Sequence, residues 1–575
     1  MGAFIESRTR GPNARLPHRR YSQYMRRAVF DLPLVGKTVE PDGGSCFLKT
    51  GKSLALVFFL SLSTGILWSV QPAVSIGGVM NAASYAQQGM PNAAIAEGSA
   101  FTVFGTGLGP ATIRSPTQFP IATSLAGTSV NVTAGGRTVQ APMLFTLASQ
   151  IAAIMPSTVP VGQATINVTY NGATSQEYPI QVVASSFAAF TINSQGNGAG
   201  AIANANYSIF LPDSAALAGD VAIIWGTGLG PVPYPDGDQP QAVNLTNIPV
   251  ELYVGDQLVP TLYQGPSGCC AGVNQIVFRV PSGITGCYVP VEVGINGIVS
   301  PTTTMPIAAG PDRVCSDPNG ISATVVNDLM SKSKFNIGAI NLLRTTQTGM
   351  PTSDVGSGWF YTLTPLEFAG TTFFQAPAIG TCIVNALSVE AVAYPLAAFP
   401  ALDAGSSIDV GGEELTKSDP GAYSTPGLPN PFLPPGVVTV TGPGGASIGA
   451  FSVNVTDPFP LTWTNMAAGS TFDRSKGITV TWTGGTPGAF AMISGGVGVL
   501  HPSLFVSFQC VAPIAQGSFT IGPNVLLQLP ASSANTSSLN LYVGDFEPYT
   551  SFAAPGLDYG YVTSGVAAYG FGTLQ

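Results

Sequence analysis

Short runs in which apolar and polar residues alternate dominate this chain, and they repeat at the period of an extended strand rather than a helix. Thr165-Ile166-Asn167-Val168-Thr169-Tyr170 leads into Asn171-Gly172, and the run 289–295 leads into Asn296-Gly297. Asn-Gly accepts the positive φ of tight hairpin turns, so each predicts a strand followed by a reversal. Residues 436–441, 449–455, 477–482, 506–511 and 539–543 read the same way, bounded by Gly, Pro, Asn or Ser. Only 321–343 offers a place for a short helix.

The pattern also repeats on a longer scale. Phe104-Gly105-Thr106-Gly107-Leu108-Gly109-Pro110 matches Trp225-Gly226-Thr227-Gly228-Leu229-Gly230-Pro231. Beyond it, 130–135 falls on 250–255, Gln150-Ile151 on Gln275-Ile276, Pro156 on Pro281, and Asn171-Gly172 with Ser175 on Asn296-Gly297 with Ser300. Order and spacing hold throughout, which predicts two copies of one domain, 76–185 and 186–310. Several short strands in each copy predict a two-sheet sandwich. Residues 311–575 form a further β-rich part, so the expected class is all-β: tandem immunoglobulin-like β-sandwiches and a C-terminal β-sandwich domain.

These residues carry a resemblance. Asn81-Ala82-Ala83-Ser84-Tyr85, the paired Gly-Thr-Gly-Leu-Gly-Pro turns, Gln-Ile before a Met-Pro or Val-Pro strand end, and a closing Asn-Gly then Ser resemble an uncharacterised repeat pair common in exported acidobacterial proteins. That pair is itself similar to IPT/TIG immunoglobulin-like domains. The resemblance spans 76–308 and implies an immunoglobulin-like fold at the cell surface. It implies no chemistry, because the family has no established activity, and the first copy departs from the second in lacking cysteine. The segment with Trp463, Asp473-Arg474 and Thr481-Trp482-Thr483-Gly484-Gly485 likewise looks like a C-terminal β domain found behind such repeats.

Composition agrees with strands and turns. Charged residues are only 9% of the chain, and 69 Gly with 48 Pro make up about a fifth of it. Residues 1–52 hold 10 of the 20 Lys and Arg but only 4 of the 29 Asp and Glu, which leaves a net −15 in the remainder. Such an acidic surface repels phosphate backbones and excludes nucleic acid as a natural partner. Lys49 and Lys52 precede an apolar run, 54–68, and small residues ending Ala73-Val74-Ser75. This reads as an export signal cut near Ser75, or as an uncleaved anchor that would be the only membrane contact. Both place the bulk of the chain outside the cell, with an extracellular protein or glycan as partner.

Setting Cys46 aside leaves six cysteines for an oxidising compartment: Cys269, Cys270, Cys287, Cys315, Cys382 and Cys510. Adjacent cysteines rarely bond to each other, so Cys269 and Cys270 are expected to reach Cys287 and Cys315, one each. Cys382 and Cys510 are expected to bridge in the C-terminal part.

Candidate chemistry is sparse. The Gly-Thr-Gly-Leu-Gly-Pro segments end in proline rather than opening a helix, so they read as turns and not phosphate cradles. Ser331 and Lys334 fit a Ser-x-x-Lys pattern without its partner motifs, and His501 is the one histidine of the exported part. Asp403, Asp409, Glu413, Glu414 and Asp419 gather in one stretch, and Asp236-Gly237-Asp238 is a turn that could weakly hold calcium. None specifies a catalytic residue, a cofactor or a metal, so the chain reads as a structural or adhesion-type protein rather than an enzyme. The competing reading is a carbohydrate-binding protein that uses Trp463 and Trp482 as stacking surfaces, with a β-sandwich glycosidase further behind.

Overall fold

The computed structural model describes residues 71–575 apart from 319, 348–350, 372–375, 389–398, 427–430, 435, 457–459, 466–468 and 501–502. In the first repeat, one sheet runs Ala73–Asn81, Ala100–Thr106, Gln150–Ile154, Met143–Thr146. The facing sheet runs Ile95–Ala96, Tyr178–Val183, Gly162–Tyr170, Thr128–Ala134, Ser124–Leu125. Alternation explains the packing. Along Thr128–Ala134 every second residue is buried, and Val130 and Val132 meet Phe101, Val103, Ile151 and Ile166 between the sheets.

The second repeat has the same plan. Val221–Thr227 lies between Ala188–Ala189 and Asn274–Arg279, while Gly286–Ile295 lies between Thr303–Ile307 and Val250–Val254. Each matched Gly-Thr-Gly-Leu-Gly-Pro segment leaves its strand by a turn that needs glycine, with φ +64° at Gly107 and +101° at Gly228. The turn drops Leu108 and Leu229 into their cores with no exposed surface. The motif is therefore a plugged turn.

The C-terminal part is built on one 14-stranded sheet, whose main path begins Thr381–Ser388, Leu504–Pro513, Phe490–Val499, Leu539–Phe546, Tyr559–Leu574, Phe335–Thr346, Ser353–Leu363. Tyr559–Leu574 holds it together: its first half runs parallel to Phe335–Thr346 and its second half antiparallel to Leu539–Phe546. A three-stranded sheet, Leu461–Trp463, Ile478–Gly484 and Ser518–Ile521, closes one face as a second layer. Val480, Trp482 and Ile521 there pack against Ile493, Val506 and Leu541 of the large sheet.

Many glycines of this part lie in strands rather than turns. Gly338, Gly442, Gly495, Gly560 and Gly565 stand directly opposite Phe360, Phe451, Phe508, Phe552 and Phe546 on the neighbouring strand. Each ring lies over its glycine, so that an added Cβ would come within 2.2 to 2.8 Å of ring carbon. The ring covers backbone that the glycine leaves bare.

The helix expected within 321–343 occupies only Ala323–Met330, capped by Ser322, whose side chain accepts from the Val325 amide. From Phe335 to Thr346 the chain is a central strand instead. Val325-Val326 and Ile337-Gly338-Ala339-Ile340 are both apolar runs, and periodicity cannot separate a short buried helix from a buried strand.

Candidate functional site

Two polar seams join the three parts, and apart from Asp236 they use groups that the sequence does not advertise. Between the repeats, Thr227 of the second Gly-Thr-Gly motif accepts from the Ala100 amide at 2.8 Å and donates to the Gly272 carbonyl at 2.6 Å. Asn81 Nδ2 donates to the Ser186 carbonyl, and Asn92 Nδ2 to the Val299 carbonyl. Asp236 accepts from both the amide and the hydroxyl of Ser157, at 2.8 and 2.5 Å. The turn read as a calcium candidate thus clasps the first repeat. Among the described residues no group of three or more His, Cys, Asp or Glu is placed to hold a metal ion.

The second seam centres on Glu292, in the middle of Gly286–Ile295 and almost wholly buried. The short helix Pro523–Leu526 and the turn that follows it supply partners from the C-terminal part. Asn524 Nδ2 donates to Glu292 Oε2 at 2.6 Å and to Asp256 Oδ1 at 3.0 Å, and Gln528 Nε2 donates to Glu292 Oε1 at 3.0 Å. Thr302 donates its hydroxyl to the same oxygen at 2.6 Å, and its amide to Gln528 Oε1 at 2.9 Å. Every partner is neutral or acidic. Burial therefore pushes the Glu292 carboxyl above the usual range against these hydrogen bonds, and burial followed by the Glu292 charge pushes Asp256 up as well.

Near this seam, Asp317 is buried beside Tyr288, Tyr549 and Tyr561, around a gap with room for about one water. Its Oδ1 accepts from the Cys287 amide at 2.9 Å, yet burial raises its carboxyl to about 7. Tyr549 and Tyr561 stack with centroids 4.5 Å apart. The opposite case is Asp354, also fully buried. Burial raises it, but Arg344 at 2.8 Å and the amides of Leu433 and Phe432 outweigh that and hold it below the usual range.

The disulfides require a correction. Cys287 bonds Cys315, with Cα atoms 5.0 Å apart, and Cys269 and Cys270 join neither. Geometry is the reason. Cys270 and Gly272, two residues on, border a cleft shared with Gly98 and Ile154 of the first repeat, whereas Cys287 contacts Asp317 and its neighbour Gly286 meets Ala378, on the C-terminal side. The Ser267 hydroxyl accepts from the amides of Cys269 and Cys270 and holds their turn. Cys382 bonds Cys510 between paired strands of the large sheet.

The tryptophans also separate. Trp482 is core, and its indole N–H donates to the Ile514 carbonyl at 2.8 Å, which removes it as a ligand contact. Trp463 lies opposite it, half-buried, and donates to Asn465 Oδ1. The carboxylate stretch disperses along a hairpin: Asp409 pairs with Glu414 across it, while Asp403 pairs with Lys417 at 2.7 Å. That contact and the Ala446 and Gly405 amides hold Asp403 down at about 2. Ser331 ends its helix by donating to the Asp328 carbonyl. His501 lies outside the described residues, as do Cys46 and the apolar run 54–68; no described helix is long and apolar enough to cross a membrane.

No family model matches the chain, and no curated protein does. Solved structures match over long stretches at low identity. SGBP-B of the Bacteroides ovatus mixed-linkage glucan utilization locus, solved with a mixed-linkage heptasaccharide, is 11% identical over 79% of this chain and 96% of its own, with a TM-score of 0.13. Sidekick-1 immunoglobulin domains 1–4 are 9% identical over 84% of this chain and 95% of theirs, at 0.12. Domains 5–6 of the S-layer protein SbsC are 11% identical over 41% of this chain and 98% of theirs, at 0.15. At such TM-scores none of them bears on what this chain binds, and its immunoglobulin-like sandwich architecture rests on its own sheets.

Proposed function

We propose that this chain is a non-catalytic structural or adhesion-type protein of the cell exterior, whose two IPT/TIG-like sandwiches hold out the C-terminal β domain for contact with a partner. The observation that carries the reading is the pair of closed seams. Thr227, Asp236 and Asn81 lock repeat to repeat, and Glu292, Asn524, Gln528 and Thr302 lock the second repeat to the C-terminal domain. A chain joined this way behaves as one stiff unit, unlike domains on open linkers. The two bridges, Cys287–Cys315 and Cys382–Cys510, fit an oxidising exterior.

The test is protease shaving of intact producing cells together with analysis of the medium. The chain should be found in the medium, or released by shaving before cytosolic markers appear. Recovery only after lysis would sink the reading.

A further inference from the structure

The large sheet carries an aromatic face that the tryptophan-based expectation passes over. Across the strands Leu504–Pro513, Phe490–Val499, Leu539–Phe546 and Tyr559–Leu574, one row holds Gln509, Ser494, Tyr542 and Tyr569. The next row holds Ser507, Gly496, Asn540 and Phe571. Residues directly opposite, and residues two apart on one strand, project to the same side. The other side is the apolar layer beneath Trp482, so these rows face away from it.

The surface is composed unlike a core. Phe571 and Phe505 are each 41% exposed, and Tyr542 and Tyr569 are half-buried with ring centroids 5.1 Å apart. Phe505 lies over Gly496, whose missing Cβ would come 2.5 Å from the ring, so the glycine lets the ring lie flat along the sheet. Tyr569 donates its hydroxyl to Asn540 Oδ1 at 2.8 Å, which leaves the Asn540 amide N–H groups to point elsewhere. Neither row contains a charge, although the chain is acidic overall.

We infer that this face binds a neutral polysaccharide chain. Sugar rings present C–H faces that stack on aromatic rings and hydroxyls that pair with amide and hydroxyl groups, and the face offers both on adjacent rows. The lack of charge selects among occupants: an ionic protein surface, a nucleic acid or an acidic polymer would meet no opposite charge here. The inference needs the domain to lie outside the cell but does not otherwise depend on the adhesion reading.

The experiment is affinity electrophoresis of the full exported chain in gels containing a soluble β-glucan, an α-glucan or a mannan, with an anionic polysaccharide as contrast. At least one neutral polymer should retard the protein and the anionic one should not. Phe571→Ala and Tyr542→Ala should each weaken retardation about tenfold, as expected for loss of one stacking ring, while Trp463→Ala leaves it unchanged. Phe505→Ala and Ser494→Glu probe the face without touching the core, and circular dichroism confirms folding. Retardation by no neutral polymer, or equal retardation of the variants, overturns the inference. So does attachment to cells that survives periodate destruction of their glycans, which would identify a protein partner. Surface exposure without glycan binding would leave the adhesion reading standing.

Discussion

At the residue scale, the chain contains buried carboxylates of opposite pH sign. Asp317 sits at about 7 in the fold against an ordinary 3.8, so its contribution is fully present below about pH 4 and is lost as pH rises through 7. Glu292 has the same direction. Asp354 is held low by Arg344, so its contribution is present above the ordinary carboxylate range and is lost on acidification. Melting temperature should therefore fall between pH 5 and pH 8, and Asp317→Asn and Glu292→Gln should each flatten that fall. Asp354→Asn should instead lower stability at neutral pH by about 3 kcal/mol, because it leaves Arg344 without its partner charge. A profile for Asp317→Asn parallel to the parent would refute the assignment. The sequence shows these residues only as isolated acids, since their surroundings come from strands and helices as many as 236 positions away.

At the element scale, the glycine–phenylalanine pairs make a graded prediction. Phe360 has no exposed surface and cannot move, so Gly338→Ala should cost about 1–3 kcal/mol. Phe546 is half-buried and can swing outward, so Gly565→Ala should cost less; urea denaturation of both variants decides. Replacing Cys382 and Cys510 by serine should cost about 3–5 kcal/mol, because their bridge closes a long loop across 128 positions. Serine at Cys269 and Cys270 should cost little. Peptide mapping without reduction should recover 287–315 and 382–510 as the linked pairs. Strand positions were largely legible, because alternation and Asn-Gly turns act locally. The strand Phe335–Thr346 was not, because it is buried at the centre of a sheet and so loses the polar half of its alternation.

At the scale of the whole molecule, the seams decide whether three sandwiches act as one body. Asp236→Ala should leave each core intact and open the first seam. Hydrogen exchange should then quicken at Ser157 and around residues 98–100, with protection unchanged at Val132 and Ile276. Uniform loss of protection would mean that Asp236 supports a whole domain rather than a joint. The seams were not legible in the sequence, because their donors are ordinary Ser, Thr, Asn and Gln residues and their acceptors Asp236 and Glu292 look like turn and strand carboxylates until the domains meet.

By itself, the sequence determined the all-β class, the duplicated domain and the even set of six cysteines that follows Cys46. Alternation, a repeated turn and residue counts are properties of neighbours along the chain, and strand period, φ preference and redox chemistry act on neighbours directly. Only the tertiary structure decided which cysteines meet, which carboxylates are buried without a counter-charge, and which aromatic residues face solvent. Those depend on which strands lie side by side. Trp482 and Phe571 are both large aromatic residues in one dimension, but Trp482 is buried where the three-stranded layer packs on the large sheet, whereas Phe571 lies on that sheet's opposite, exposed face.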